Sequence, residues 1–133
     1  MLDTNILIYL IKNRPATVAE RINRLRPEDG LCMSFVTYAE LLKGAERSVR
    51  KADVLRQLAA LLRLVPAQYQ TDPALCAHYA RLSTSLKAAG TPIGANDLWI
   101  ACHALAQDCV LVTNNLREFQ RIEGLRLENW ARD

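Results

Sequence analysis

Short β-rich segments alternate along the chain with longer stretches whose apolar residues recur at helical spacing. Helices are predicted over residues 5–12, 15–25, 35–44, 48–62, 73–89 and 95–106. Strands are predicted at residues 31–33, 64–65 and 109–113, and the end of a further strand at residues 1–3. Continuous apolar strands that alternate with helices are typical of a parallel sheet covered on both faces. The pattern therefore predicts an α/β fold with a central, mostly parallel sheet flanked by helices.

Local signals set several of these boundaries. Ser34 can cap the helix that follows it, and Asp72-Pro73 is a capping residue followed by a proline at the first helical position. The 90–92 segment, Gly-Thr-Pro, breaks the next helical pattern. Only two residues precede Asp3, so a longer first strand requires residues upstream of Met1, and we expect the chain to be trimmed at its N-terminus.

Length and composition change this picture little. The 133 residues predict one domain over residues 1–133, and half of them are hydrophobic, which suffices for a core. The apolar runs are too short to span a bilayer, and the N-terminus lacks the basic region of a signal peptide. The formal charge of +3 permits a phosphate-rich partner without requiring one. These features favour a cytoplasmic protein with no membrane partner.

Cysteine and histidine positions give no metal-binding spacing. The four cysteines form no C-x-x-C pair, so we expect free thiols in a reducing compartment. His78 and His103 have no second ligand three or four residues away, so zinc is not expected. Each histidine is predicted to lie at the surface or at the edge of the core.

Four polar positions interrupt apolar contexts at or near predicted strand ends. They are Asp3 in "MLDTN", Glu40 in "TYAELL", Asp97 in "GANDLWIA" and Asn115 in "LVTNN". Taken singly, each has an ordinary explanation: Asp3 and Asn115 can cap helices, Asp97 can complement a helix dipole, and Glu40 can face solvent. Ligands of parallel sheets, however, bind at the carboxyl ends of the strands. The combination therefore predicts one acidic site.

Three carboxylates that converge at a sheet edge need a cation. Two unit charges ~4 Å apart repel by about 4 kcal/mol at an effective dielectric constant of about 20. Such a cluster takes up protons or binds a metal ion, and oxygen ligands favour Mg²⁺ or Mn²⁺. The chemistry indicated is metal-assisted hydrolysis of a phosphodiester bond.

Four segments together resemble a known family. They are "MLDTNILIYLI", "SFVTYAELLKGAE", "GTPIGANDLWIACHA" and "LVTNNLREFQRIEGLRLENW". In order and spacing they are similar to the VapC-type PIN-domain proteins, the ribonuclease toxins of bacterial type II toxin–antitoxin pairs. The resemblance implies a PIN-like three-layer sandwich, a Mg²⁺- or Mn²⁺-dependent endoribonuclease and a homodimer. It also implies inhibition by a small VapB-like antitoxin, through which alone the toxin would meet DNA.

The resemblance assigns roles to individual residues. Asp3, Glu40 and Asp97 match the acidic metal site of the family, and the Thr113 hydroxyl matches the group that orients the first aspartate. Asn5 and Thr113 are assigned to substrate positioning. The fourth acidic position of many relatives falls at Asn115, which we include in the catalytic set. Because an asparagine removes one charge there, the second metal ion is in question; Glu118 is nearby and either joins the site or faces solvent.

The substrate implied is RNA. The resemblance is closest to enterobacterial members that cut initiator tRNA in its anticodon stem-loop. Basic side chains that follow the two acidic helices fit such a partner, although they could equally form a solvated helical face: Lys12, Arg14, Lys43, Arg47, Arg50, Lys51 and Arg56. Trp99 could be a core residue, a dimer contact or a stacking platform, and Trp130 is predicted to pack. Two alternatives stay open, a metal-dependent DNA nuclease and a non-catalytic interaction module that keeps the fold.

Overall fold

The computed structural model describes residues 1–132. Seven helices lie in this range: α1 (Thr4–Lys12), α2 (Ala16–Asn23), α3 (Phe35–Glu46), α4 (Lys51–Leu64), α5 (Pro73–Ala88), α6 (Ala95–Ala106) and α7 (Leu116–Phe119). The strands in the same range are β1 (Met33–Ser34), β2 (Ala67–Gln68), β3 (Leu111–Val112) and β4 (Leu127–Glu128).

The strands form two parallel pairs that Leu2 joins into one layer. β1 pairs with β2, β3 pairs with β4, and Leu2 forms a parallel bridge with Val112. The Leu2 amide donates to the Cys32 carbonyl at 2.8 Å on the other side. The order across the layer is therefore β2, β1, the Leu2 segment, β3 and β4, and every pairing is parallel. The carboxyl ends of all these segments consequently meet at one edge.

Helices cover both faces of this layer, as the sequence predicted. Successive residues of a strand point to opposite faces, and the chain uses this alternation twice. Met1 and Leu111 belong to a core with α5, α6 and α7, whereas Leu2 and Val112 belong to a second core with α1, α2 and α4. The predicted α/β three-layer architecture with a parallel central sheet is confirmed.

One predicted strand is wrong. Residues 64–65 do not form a strand, because α4 continues to Leu64 and the Val65 amide still donates to the Leu61 carbonyl at 2.8 Å. Pro66 ends the helix, since it has no amide and disfavours helical geometry in the residue before it. Its carbonyl accepts from the Met33 amide at 3.0 Å, so the strand begins after the proline. The β-branched side chain of Val65 had favoured a strand before Pro66 rather than after it.

Several boundaries shift by a few residues. The first strand after α2 lies at Met33–Ser34 rather than at 31–33, and Pro15 caps α2 instead of occupying its first turn. α3 runs past Gly44 to Glu46, and α4 begins at Lys51 rather than at residue 48. Within a helix that buries Ala45, one glycine costs only about 1 kcal/mol, so tertiary packing carries α3 through it.

The predicted caps are confirmed. Ser34 Oγ accepts from the Val36 amide at 3.2 Å, and Asp72 Oδ1 accepts from the Leu75 amide at 3.1 Å. α6 spans the predicted residues 95–106. α7 and β4 were not predicted, since an element of two to four residues is too short for a periodic pattern. No helix in residues 1–132 is both long and apolar enough to cross a membrane.

The cysteine prediction holds for the described residues, whereas one histidine prediction is wrong. All four cysteines are free thiols. His103, predicted at the surface or at the core edge, is fully buried. Its ring is satisfied by two partners, Ser34 Oγ at 2.8 Å and the Gln70 carbonyl at 3.1 Å, which is the usual condition for burying a polar side chain. Trp130 is buried as predicted, and Trp99 stacks on Tyr79 with 3.7 Å between ring centroids.

Candidate active site

The carboxyl edge of the sheet gathers the predicted polar side chains. Asp3 directly follows the Leu2 bridge, and Thr113 directly follows β3. Glu40 lies in the second turn of α3, the helix that begins where β1 ends, and Asp97 lies in the first turn of α6. Two residues come from strand ends and two from helices that start at the same edge, so four separate segments build the site.

Asp3 is held from two sides. Its Oδ1 accepts from the Thr4 amide at 2.8 Å, which caps α1, and its Oδ2 accepts from the Thr113 hydroxyl at 2.8 Å. The side chain is 4% exposed. Burial raises the pKa of Asp3 above its ordinary value; the two hydrogen bonds oppose this and the charge of Glu40 adds to it. The carboxylate is therefore fixed in direction and sensitive to a neighbouring charge.

Thr4 connects Asp3 to Glu40. Its hydroxyl donates to Glu40 Oε1 at 2.7 Å, so the first residue of α1 positions a carboxylate on α3. This role of Thr4 was not predicted from the sequence. The signal was present in "LDTN", where a small hydroxyl side chain follows the acid directly.

Asp97 experiences the combined field of the other acids. Burial, and then the charges of Asp3, Glu40 and Glu118, raise its pKa to about 6. An open pocket of about 410 Å³ lies in front of it, lined by Glu40 and by the α6 entry residues 94–97. Glu40 and Asp97 line this pocket, and the charges of Asp3 and Glu118 act on Asp97 from nearby. A cation in the pocket would relieve this repulsion.

Asn115 and Glu118 form a hydrogen-bonded pair near the other acids. The Asn115 side-chain amide donates to Glu118 Oε2 at 3.1 Å, and its backbone amide donates to the Thr113 hydroxyl at 3.0 Å. Glu118 is half-buried, and its charge contributes to the raised pKa of Asp97. The sequence carries a signal for this pair: Asn115 precedes Glu118 by three residues at the start of α7, the spacing of a capping box.

The donor set fits a hard divalent cation. Within residues 1–132, no three histidine, cysteine or acidic side chains are already drawn together as a preformed metal site. Burial and then the charges of Asp3, Glu40 and Glu118 raise the pKa of Asp97, so ionised carboxylates at this edge repel one another. Only oxygen donors face the pocket, which suits Mg²⁺ or Mn²⁺ and not a thiolate-seeking metal.

Asn5 lies outside this hydrogen-bonded group. It is exposed in the first turn of α1, and within residues 1–132 its side chain makes no hydrogen bond to the acids. The basic side chains are exposed as well, and two of them are engaged: Lys51 pairs with Glu46 at 2.7 Å, and Arg56 pairs with Asp53.

Comparisons with known proteins identify the family. A PIN domain model matches residues 1–125. Ribonuclease VapC1 of Haemophilus influenzae strain R2866 is 50% identical over 132 residues, covering 99% of this chain and 98% of that protein. The tRNA(fMet)-specific endonuclease VapC of Salmonella typhimurium is 41% identical, covering 98% and 97%.

Solved structures agree. VapBC-1 from nontypeable Haemophilus influenzae matches with a TM-score of 0.92 and 50% identity, over 99% of this chain and 98% of that one. VapBC2 from Rickettsia felis, bound to a DNA fragment from its promoter, matches with a TM-score of 0.90 and 36% identity, over 98% and 97%. The chain therefore belongs to the PIN-domain family and, within it, to the VapC ribonucleases.

Proposed function

We propose that Asp3, Glu40 and Asp97 hold Mg²⁺ or Mn²⁺ and that this chain uses the site to hydrolyse RNA phosphodiester bonds as the toxin of a toxin–antitoxin pair. PIN-domain nucleases generally depend on a divalent metal ion. The observation that carries the proposal is the meeting of carboxylates from four segments at one sheet edge, around an open pocket. A structural role would not require so costly an arrangement.

Each residue has a defined task in this proposal. When bound, the cation supplies charge compensation at the phosphate and lowers the pKa of water. Asp3 presents a carboxylate whose direction Thr4 and Thr113 fix, and Thr4 orients Glu40 through its hydroxyl. Asp97 faces the open pocket, where a phosphate can approach. Asn115 orients Glu118 through its side-chain amide, and exposed Asn5 is the proposed substrate contact.

RNA is the proposed substrate, and initiator tRNA is its proposed source. The Salmonella typhimurium relative carries the name tRNA(fMet)-specific endonuclease. Exposed basic side chains on or next to α1, α3 and α4 are available to bind the phosphate backbone: Lys12, Lys43, Arg47, Arg50, Lys51 and Arg56.

A VapB-like antitoxin is the proposed inhibitor, because the matched structures are VapBC complexes. We also propose that the chain acts as a homodimer in the cytoplasm, and that it meets DNA only through the antitoxin. The matched Rickettsia felis complex is bound to promoter DNA. Four free thiols are compatible with a reducing compartment.

The test is cleavage of RNA by the purified chain with Mg²⁺ or Mn²⁺, with EDTA as the metal-free reference. Asp97→Asn should lower the rate at least about a hundredfold. It removes the negative charge of a metal ligand, and the metal ion so weakened supplies several kcal/mol of transition-state stabilisation. Its melting temperature without metal should be unchanged or higher, since one repelling carboxylate is gone. Asp53→Asn is the matched control, because Asp53 is also a first-turn aspartate, on α4.

The same assay separates the alternatives. Cleavage of DNA in preference to RNA would favour a metal-dependent DNA nuclease. A chain that binds metal but cuts neither nucleic acid would favour a non-catalytic module. An Asp97→Asn protein that cuts RNA as fast as the Asp53→Asn control would contradict the assigned site.

A further inference from the structure

A second pocket lies directly beside the acidic one. Its volume is about 210 Å³, and it is lined by Phe35, Val36, Ala39, Glu40, Lys43 and Asn96. Glu40 and Asn96 line both pockets, so the two spaces are neighbours across these side chains. Whatever occupies the acidic pocket therefore has an adjoining compartment between α3 and α6.

The walls of this second pocket are chemically mixed in a particular way. Phe35, Val36 and Ala39 give it an apolar side, and the Phe35 ring is positioned by an edge contact with His103 at 5.5 Å between ring centroids. Asn96 gives it one amide, which can both donate and accept. Lys43 gives it one ammonium group, which pairs with no acid in the described residues.

We infer that this second pocket binds the nucleobase of a nucleotide next to the scissile phosphate, with Asn96 reading its edge. The inference rests on the proposed function, since it needs RNA at the acidic pocket. A base has apolar faces and a hydrogen-bonding edge, and single-stranded RNA is recognised through unstacked bases bound by aromatic side chains and polar groups. Apolar walls with one amide match that chemistry.

Other occupants match it less well. A phosphate group would meet three apolar side chains and the carboxylate of Glu40, with only Lys43 to attract it. A metal ion would find one carboxylate there. Lys43 is better placed to neutralise the phosphate that links the bound base to the scissile position, since α3 carries it one turn beyond Glu40. The pocket thus selects a nucleotide rather than a bare anion.

The experiment maps cut sites in a pool of short single-stranded RNAs of random sequence, incubated with the purified chain and Mn²⁺. Sequencing of the new ends gives the nucleotide preference at each position around the cut. Asn96→Ala should weaken the preference at one position beside the cut by about tenfold, because it removes the edge contact. Ala39→Leu should weaken it at the same position by filling the pocket.

Matched control variants show whether the same type of substitution changes the nucleotide preference when it lies away from the pocket. Asn23→Ala changes an exposed helical asparagine on α2, and Ala52→Leu changes an exposed helical alanine on α4. Both should keep the preferences of the unaltered chain. Melting temperatures of all four variants identify any that are misfolded.

The outcomes separate this inference from the proposed function. If the unaltered chain cuts RNA with no preference beside the cut, or if Asn96→Ala and Ala39→Leu keep its preference, the base pocket is wrong and the ribonuclease stands. If the unaltered chain cuts no RNA, both are wrong. A preference lost at one position in both variants and in neither control supports the pocket.

Discussion

Asp3 is both a helix cap and a carboxylate at the acidic edge of the sheet. One oxygen accepts from the Thr4 amide and the other from the Thr113 hydroxyl. The two explanations that the sequence set against each other are therefore compatible, because a carboxylate has two oxygens with several acceptor positions. The cap at the start of α1 also fixes the direction in which Asp3 faces the site.

The residue scale also yields a prediction for Asn115. With Asp3, Glu40 and Asp97, the site should bind one Mn²⁺ well and a second weakly. Asn115→Asp should strengthen the second binding event by at least about tenfold, because a carboxylate attracts a cation far more than an amide does. It would also place a carboxylate beside Glu118, which Asn115 now contacts at 3.1 Å.

Calorimetric titration of Mn²⁺ without RNA measures this effect. Asn23→Asp on α2 serves as the control, since it adds the same charge at an exposed position. Two equally tight ions in the unaltered chain would be inconsistent with the idea. So would an Asn115→Asp chain with unaltered stoichiometry and affinity.

At the scale of elements, one buried network joins the two helices that carry Glu40 and Asp97. Ser34 Oγ accepts from the Val36 amide at the start of α3 and lies 2.8 Å from His103 Nδ1 on α6. The Gln70 carbonyl can only accept, so His103 Nε2 carries a proton. Burial lowers the pKa of His103 and favours the neutral ring, in which Nδ1 accepts from the Ser34 hydroxyl.

Replacement of Ser34 tests this network. Ser34→Ala should lower the free energy of unfolding by about 2–3 kcal/mol, because it removes a helix cap and leaves a buried ring nitrogen without a donor. Ser48→Ala is the matched control: its hydroxyl also accepts from the amide two residues later, but at an exposed position. That control should cost less than about 1 kcal/mol. Urea unfolding measures both, and equal costs would remove the special role of Ser34.

The same network predicts a pH dependence. Burial lowers the pKa of His103 below its ordinary value of 6.5, so the unfolded chain takes up the proton first as the pH falls. The contribution of His103 to stability is then complete above about pH 6.5 and is lost as the pH falls toward the folded-state pKa. The slope should not exceed about 1.4 kcal/mol per pH unit for one proton.

Urea unfolding between pH 7.5 and 5.5 measures this slope against His103→Gln, which cannot titrate. The difference between the two chains isolates His103 from the acids, whose protonation acts in both. Identical slopes for the unaltered chain and His103→Gln would show that His103 does not titrate differently on unfolding.

At the scale of the whole molecule, charge is divided unevenly. The chain carries a formal charge of +3, yet four acids meet at one sheet edge, so the remaining surface is more basic than the total suggests. Such a surface attracts a polyanion and brings it toward a site that needs a cation to accept phosphate. The arrangement suits an enzyme that acts on nucleic acid.

The acidic edge also predicts how an antitoxin inhibits. An Arg or Lys of the partner should reach Asp3, Glu40 or Asp97, because unoccupied carboxylates attract cations and an arginine binds them with two parallel hydrogen bonds. An antitoxin truncated before its basic C-terminal residues should then bind yet inhibit at least about tenfold less. RNA cleavage at saturating antitoxin measures this. If a truncated antitoxin stays bound and still inhibits fully, the antitoxin inhibits without placing a cation on these carboxylates.

The sequence by itself determined the layered class of the fold and predicted which acids meet at the sheet edge. Apolar periodicity and capping residues located α1, α5 and α6 closely, because these signals act between neighbours along the chain. Polar residues within apolar segments marked Asp3, Glu40 and Asp97, since interrupting a buried element is costly without a purpose.

Only the tertiary structure decided which partners those residues meet. β2 and β4 have two residues each and exist through pairing with β1 and β3, so no local pattern reveals them. His103 is buried because Ser34, distant in sequence, supplies its partner. The effect of the Glu118 charge on Asp97 likewise depends on where α6 and α7 lie in space. Contacts between distant segments are decided by packing, and a local sequence pattern contains no information about which distant residues will meet.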